Sequence, residues 1–132
     1  MAYLLDTNIC IFFMKGMFDL KEKVNQVGVE NCYISEITFA ELKFGVANSS
    51  SPEKNHEVLT DFLTGIQIIP IFHSIDVYAK EKARLRKEGT PTDDFDLLIG
   101  ATSIANQMIM VTNNKRHFLR LKDIQIEDWT IS

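Results

Sequence analysis

At 132 residues the chain is long enough to bury one real core and too short for two comfortable domains. Its 45% hydrophobic and 24% charged residues are ordinary for a globular protein and exclude a fibrous or disordered chain, while a net charge of -4 argues on its face against a nucleic-acid partner. The longest nearly uncharged apolar run, Ile9 to Met14, is far shorter than a membrane span and Met1 to Leu5 lacks the features of a secretory leader, so a cytoplasmic protein that avoids membranes is expected.

In chain order, Tyr3-Leu4-Leu5 reads as a short buried strand, stopped by Asp6-Thr7-Asn8. Thr7 to Lys15 can form a helix with Thr7 or Asn8 as its cap, and Gly16 breaks it. Asp19 to Val27 is an amphipathic helix ended by Gly28. A strand follows at Asn31 to Ser35, and Ser35 is placed to cap a helix that carries Glu41. The loop Asn48 to Ser51 precedes a helix over Pro52 to Thr64, Pro52 suiting its first position. Gln67 to Ile71 is a third strand, and Asp76 to Glu88 a charged helix closed by Gly89. The next helix contains Asp96 and runs to about Gln107, with Asp93 and Asp94 favouring its N-terminus. Met108 to Thr112 is a fourth strand, Lys115 to Phe118 open a short helix, and Ile124 to Ile131 alternate as an edge strand.

Strands alternating with helices imply an α/β fold in three layers, α/β/α, with a central, mostly parallel sheet of about four to five strands covered on both faces. Ligands of such sheets bind beyond the carboxyl ends of the strands, where Asp6, Asp96 and Asn114 can meet. Glu41 shares a helix face with Ile37 and Phe44 and has Gly45, not a basic residue, one turn later. Three carboxylates poorly served by local partners suggest a shared cation.

Basic residues are concentrated in two segments. Lys80, Lys82, Arg84, Arg86 and Lys87 form one, and Lys115, Arg116, Arg120 and Lys122 the other, together nine of the 14 Lys and Arg residues. They read either as solvated helix faces or as phosphate-holding rims beside an acidic centre, which restores a nucleic-acid partner. Cys10 and Cys32 sit in apolar surroundings and are expected to be buried free thiols, and His56, His73 and His117 lack zinc-site spacing. The group Phe12, Phe13, Met14, Met17, Phe18, Phe39 and Phe44 is expected to be mostly core, with a minority lining a groove for a partner helix or a second subunit.

Leu5-Asp6-Thr7-Asn8, Glu41-Leu42-Lys43-Phe44-Gly45, Asp96-Leu97-Leu98-Ile99-Gly100-Ala101, Val111-Thr112-Asn113-Asn114 with His117-Phe118, and Glu127-Asp128-Trp129 together resemble a PIN domain, and more narrowly the VapC toxins of bacterial VapBC toxin-antitoxin pairs. The resemblance spans nearly the whole chain and implies a single PIN domain over residues 1–132. It implies a metal-dependent endoribonuclease that cuts structured RNA, such as tRNA or rRNA loops, and is neutralised by a cognate VapB-type antitoxin in a homodimer or larger assembly. Carried over position by position, Asp6 and Asp96 are the principal Mg2+ ligands and Glu41 completes the acidic cluster, with Mn2+ as the other candidate ion. Thr7, Asn8, Thr112 and Asn114 are supporting groups, and Lys80, Lys82, Arg84, Arg86, Lys87, Lys115 and Arg116 would contact RNA. Many PIN domains have a fourth acid where this chain has Asn114, which favours one metal over two.

Two other readings compete with this one. Phosphatases that pass through an aspartyl-phosphate use an Asp-x-Asp pattern, and the residue two after Asp6 is Asn8. A catalytically inactive PIN-like module that binds RNA or a partner is the second, and Asn114 gives it room.

Overall fold

The computed structural model describes residues 1–131, and its sheet is built from five parallel strands in the order β3-β2-β1-β4-β5. The strands are β1 (Tyr3–Leu5), β2 (Cys32–Ser35), β3 (Gln67–Ile69), β4 (Ile109–Val111) and β5 (Gln125–Glu127). Around them run α1 (Thr7–Met14), α2 (Leu20–Val27), α3 (Glu36–Ala47), α4 (Pro52–Leu63), α5 (Ile75–Lys87), α6 (Asp94–Ala105) and the single turn α7 (Lys115–Phe118). The expected sheet and its edge strand at the C-terminal end are both present, while each strand is shorter than its apolar run. Pro70, for instance, lacks an N–H and follows β3 directly, and the chain turns into a 3-10 helix at Phe72–Ser74. A second such turn, Val29–Asn31, leads into β2 and was not anticipated.

Two apolar clusters cover the two faces of the sheet. Leu5, Ile34 and Val111 point to one side with Ile9, Leu20, Leu42, Leu59 and Phe62, and Leu4 and Met110 point to the other with Leu85, Leu97, Ile99 and Phe118. The alternation of Leu4 and Leu5 between clusters follows from the two-residue period of a strand. Both cysteines are buried and free. Burial pushes the Cys32 thiol up to about 11 and the Cys10 thiol well above its ordinary value, so neither is a ready nucleophile.

The aromatic-rich group divides between the core edge and the surface. None of the seven is fully buried: Phe12, Phe13, Met14 and Phe39 are half-buried against the core, whereas Met17, Phe18 and Phe44 are exposed. In α1 only Ile9 and Cys10 are buried and in α3 only Thr38 and Leu42, so the other large side chains of these helices stay partly or fully accessible. Among the described residues no helix is long and apolar enough to cross a membrane.

Candidate active site

Asp6 stands at the carboxyl end of β1 and is also the N-cap of α1, a role expected of Thr7 or Asn8. Its backbone is extended, with φ -66° and ψ 158°, and its Oδ1 accepts from the Thr7 N–H at 2.7 Å. Oδ2 accepts from the Thr112 hydroxyl at 2.8 Å. Thr112 lies just past β4, and because Leu5 pairs with Val111 the next residues, Asp6 and Thr112, emerge side by side. Asp6 is only 5% exposed. Burial is the main cause that pushes its carboxyl up from 3.8 to about 6; the two hydrogen bonds oppose the rise, and the Asp96 and Glu41 carboxylates add to it.

Glu41 is reached from the other side. Ser35 caps α3 by accepting from the Thr38 N–H at 3.1 Å, and Glu41 follows Thr38 by three residues on the same face. The Thr7 hydroxyl donates to Glu41 Oε1 at 2.6 Å and lies 3.1 Å from the Thr38 hydroxyl, so Thr7 ties Asp6 and Glu41 together. Thr38 is fully buried and was not singled out in the sequence; its position one turn before Glu41 was the available signal.

Asp96 enters from the first turn of α6. Asp93 caps this helix, its Oδ2 accepting from the N–H groups of Phe95 and Asp96 at 3.1 and 3.3 Å. Asp94 pairs with Lys82 at 2.8 Å. Among the described residues the carboxylate of Asp96 has one polar side-chain partner, His117 Nδ1, at 3.5 Å. His117 is thereby part of the site, although its spacing in sequence gave no such sign.

The remaining expected groups divide. The Thr7 and Thr112 hydroxyls each donate to a carboxylate, Thr7 to Glu41 and Thr112 to Asp6. Asn114 occupies the N-cap position of α7 without a side-chain capping bond, and its backbone N–H donates to Thr112 Oγ1 at 3.0 Å. Asn8 is exposed and makes no hydrogen bond to the cluster. Of the expected RNA contacts, Arg84 is engaged by Glu81, Glu88 and the Arg120 carbonyl, and Lys82 by Asp94 and Tyr78. Lys80, Arg86, Lys87, Lys115 and Arg116 are exposed.

Among the described residues no lysine or arginine pairs with Asp6, Glu41 or Asp96. Nor do three or more His, Cys, Asp or Glu side chains come together closely enough to hold a metal ion by themselves. The site is an open set of hard oxygen donors with uncompensated negative charge. Such a set suits a hydrated divalent cation, which takes one or two carboxylates and fills its other positions with water and substrate phosphate.

The PIN domain family model matches residues 3–124. The tRNA(fMet)-specific endonuclease VapC of Salmonella typhimurium is 33% identical over 131 residues, covering 98% of this chain and 98% of that protein. Among solved structures, DNA-bound VapBC from Salmonella typhimurium gives a TM-score of 0.92 at 32% identity, covering 98% of each chain. VapBC2 from Rickettsia felis, bound to a DNA fragment from its promoter, gives 0.91 at 32% identity over 98% of this chain and 99% of that one.

Proposed function

Because the chain belongs to the PIN-domain family and, within it, to the VapC proteins, we propose that it is an endoribonuclease toxin that uses a divalent cation at Asp6, Glu41 and Asp96 to hydrolyse structured RNA. The observation that carries this reading is Asp6 itself. A carboxylate is buried at a strand end, fixed by Thr7 and Thr112, and raised in pKa by burial and by two further carboxylates with no basic side chain to relieve it. That arrangement is unfavourable unless a cation completes it.

Asp6 and Asp96 would hold the ion. Each oxygen of Asp6 accepts one hydrogen bond and keeps a lone pair free, so its orientation is fixed in advance. Glu41 is anchored by one oxygen to Thr7, which leaves the other to orient the attacking water or take its proton. The bound cation supplies charge neutralisation at the phosphate and a more acidic water. Hydrolysis of this kind needs no 2′-hydroxyl and leaves 5′-phosphate and 3′-hydroxyl ends. Magnesium is the ion proposed, because an all-oxygen, partly hydrated set matches its preferences; manganese shares them closely enough to be tested beside it.

The solved relatives are VapBC complexes, and the partner of this chain is read as a VapB-type antitoxin. An apolar groove of about 390 Å³ lies between α1, α3 and α4, walled by Ile11, Met14, Leu42, Val46 and Val58 and bordered by Glu41. An amphipathic antitoxin helix fits such a groove and would end against the carboxylate cluster, closing it to RNA.

The test is end mapping of total bacterial RNA incubated with the purified, antitoxin-free protein in magnesium, in manganese and in chelator, with Asp96→Asn as control. Cuts at a few loops, bearing 5′-phosphates and absent in chelator and in the variant, are expected. Wild-type cutting by the variant would remove Asp96 from the ion. RNA retained equally in chelator and never cut would make the protein a binding module instead.

A further inference from the structure

The basic residues of α5 are not equivalent, and the way they are spent singles out one corner of the molecule. Arg84 is fully committed: Nε and Nη2 each donate to Glu81 at 2.9 Å, Nη1 donates to Glu88 at 3.0 Å, and Nη2 also reaches the Arg120 carbonyl at 2.6 Å. It fastens α5 to the segment after α7 and has no donor to spare. Arg86, two residues on, is exposed and makes no ion pair or hydrogen bond with the described residues. It borders a cavity of about 310 Å³ at the corner where α5 ends and α6 begins, lined by Lys82, Leu85, Arg86, Pro91, Thr92 and Leu97.

Thr92 supplies a second, independent observation. Its hydroxyl is buried and has no hydrogen-bond partner, a condition shared among the described residues only with Ser74. A buried hydroxyl left unpaired is unfavourable by about 1–3 kcal/mol, so the fold carries a strained donor beside two cationic side chains. Both nearby carboxylates already have partners: Asp93 accepts from the N–H groups of Phe95 and Asp96, and Asp94 from Lys82 and Tyr78. Leu97 of the lining follows Asp96 directly in the chain, so the cavity and that carboxylate share the start of α6.

We propose that this cavity is a phosphate subsite, in which Arg86, Lys82 and the Thr92 hydroxyl hold a backbone phosphodiester of the RNA strand next to the one that is cut. Arg86 supplies the planar, charge-assisted contact, Thr92 a neutral donor, and Lys82 a charge shared with Asp94. The assignment rests on the RNA-cleaving reading above and deepens it: substrate is gripped on one side of the scissile bond by a built pocket rather than by a diffuse basic surface.

Binding of a labelled single-stranded RNA is measured by anisotropy in chelator across a salt series, so that cleavage does not enter. Arg86→Ala and Thr92→Val should each weaken binding about tenfold, and Arg86→Ala should lower the salt slope by about 0.7. Lys54→Ala removes the same charge from exposed α4 and should change neither. Thr92→Ser keeps the hydroxyl and should bind like wild type, which separates the site from a folding defect. Equality of Arg86→Ala with Lys54→Ala, or of Thr92→Val with wild type, overturns the subsite. So does a shift of the Thr92 amide resonance by inorganic phosphate alone with RNA affinity indifferent to Arg86, which would make this a free-anion pocket. RNA that stays uncut in magnesium while Arg86 still governs its binding would support the subsite and sink the nuclease reading; cutting with Arg86-independent binding does the reverse.

Discussion

The Thr112 hydroxyl donates to Asp6 Oδ2 over 2.8 Å, joining residues 106 positions apart at the ends of adjacent parallel strands. Thr112→Val keeps the shape of the side chain and leaves a buried carboxylate oxygen without its donor. The variant should lose about 1–3 kcal/mol of stability and about ten- to a hundredfold in metal-dependent cleavage. Thr112→Ser should restore most of both. Urea denaturation and initial cleavage rates check the pair, and a fully active valine variant would show that the bond does not position Asp6.

The raised pKa of Asp6 gives the proposed binding of magnesium a definite pH dependence. The folded carboxyl, at about 6, holds its proton more tightly than the unfolded one at 3.8. Its contribution to stability is therefore most favourable below about pH 4, declines as pH rises towards about 6, and is fully adverse above that. A cation relieves the penalty only where the group is ionised. The rise in Tm produced by magnesium should be large near pH 8 and shrink as pH falls through about 6. A rise independent of pH would mean that the ion does not bind at Asp6.

Glu81 titrates in the opposite sense. The Arg84 side chain, and then the Lys122 N–H at 2.6 Å, hold its carboxyl below 4.5. Its stabilisation is present above about pH 4.5 and is lost as pH falls through the lower folded value. Glu81→Gln should unfold about 1–2 kcal/mol more easily at neutral pH, with the difference from wild type closing in acid. Chemical denaturation at two pH values measures it, and undiminished cleavage below the unfolding transition would confirm that Glu81 is structural.

Gly100 sets how closely α6 and α7 approach. A Cβ there would stand 2.3 Å from Leu121 Cδ1 and 3.3 Å from Phe118 Cδ1, both in buried side chains. Overpacking of about 1–3 kcal/mol competes with a helix-propensity gain of about 1 kcal/mol, so Gly100→Ala should be destabilised by about 1 kcal/mol. Because α7 carries His117, the displacement should also reduce cleavage beyond what the stability loss explains. Unchanged Tm and rate would show that Leu121 moves aside freely.

How much of this was legible in the sequence depended on the range of the interaction. Asp6 at the end of an apolar run, Ser35 before α3, Pro52 at the start of α4 and the alternating segment that became edge strand β5 are all local patterns, and each took its expected place. The 3-10 turns at Val29–Asn31 and Phe72–Ser74 are too short to carry a periodic signal. Arg84 looked like a phosphate contact, yet Glu81 and Glu88 stand at i−3 and i+4 from it, and that spacing could have revealed its commitment. The approach of His117 to Asp96 was out of reach, since it follows from how α7 packs on α6 at Gly100.

The strand order places β1 at the middle of the sheet, with β2 and β3 laid down on one side before the chain crosses to add β4 and β5 on the other. The acidic centre consequently draws on positions 6, 41, 96 and 112, and no N-terminal portion that stops short of β4 contains it. While the protein is being synthesised, Asp6 and Glu41 emerge early and wait for Asp96 and Thr112. Under the proposed reading, a nascent chain therefore lacks a complete cleavage centre until the far half of the sheet has been made.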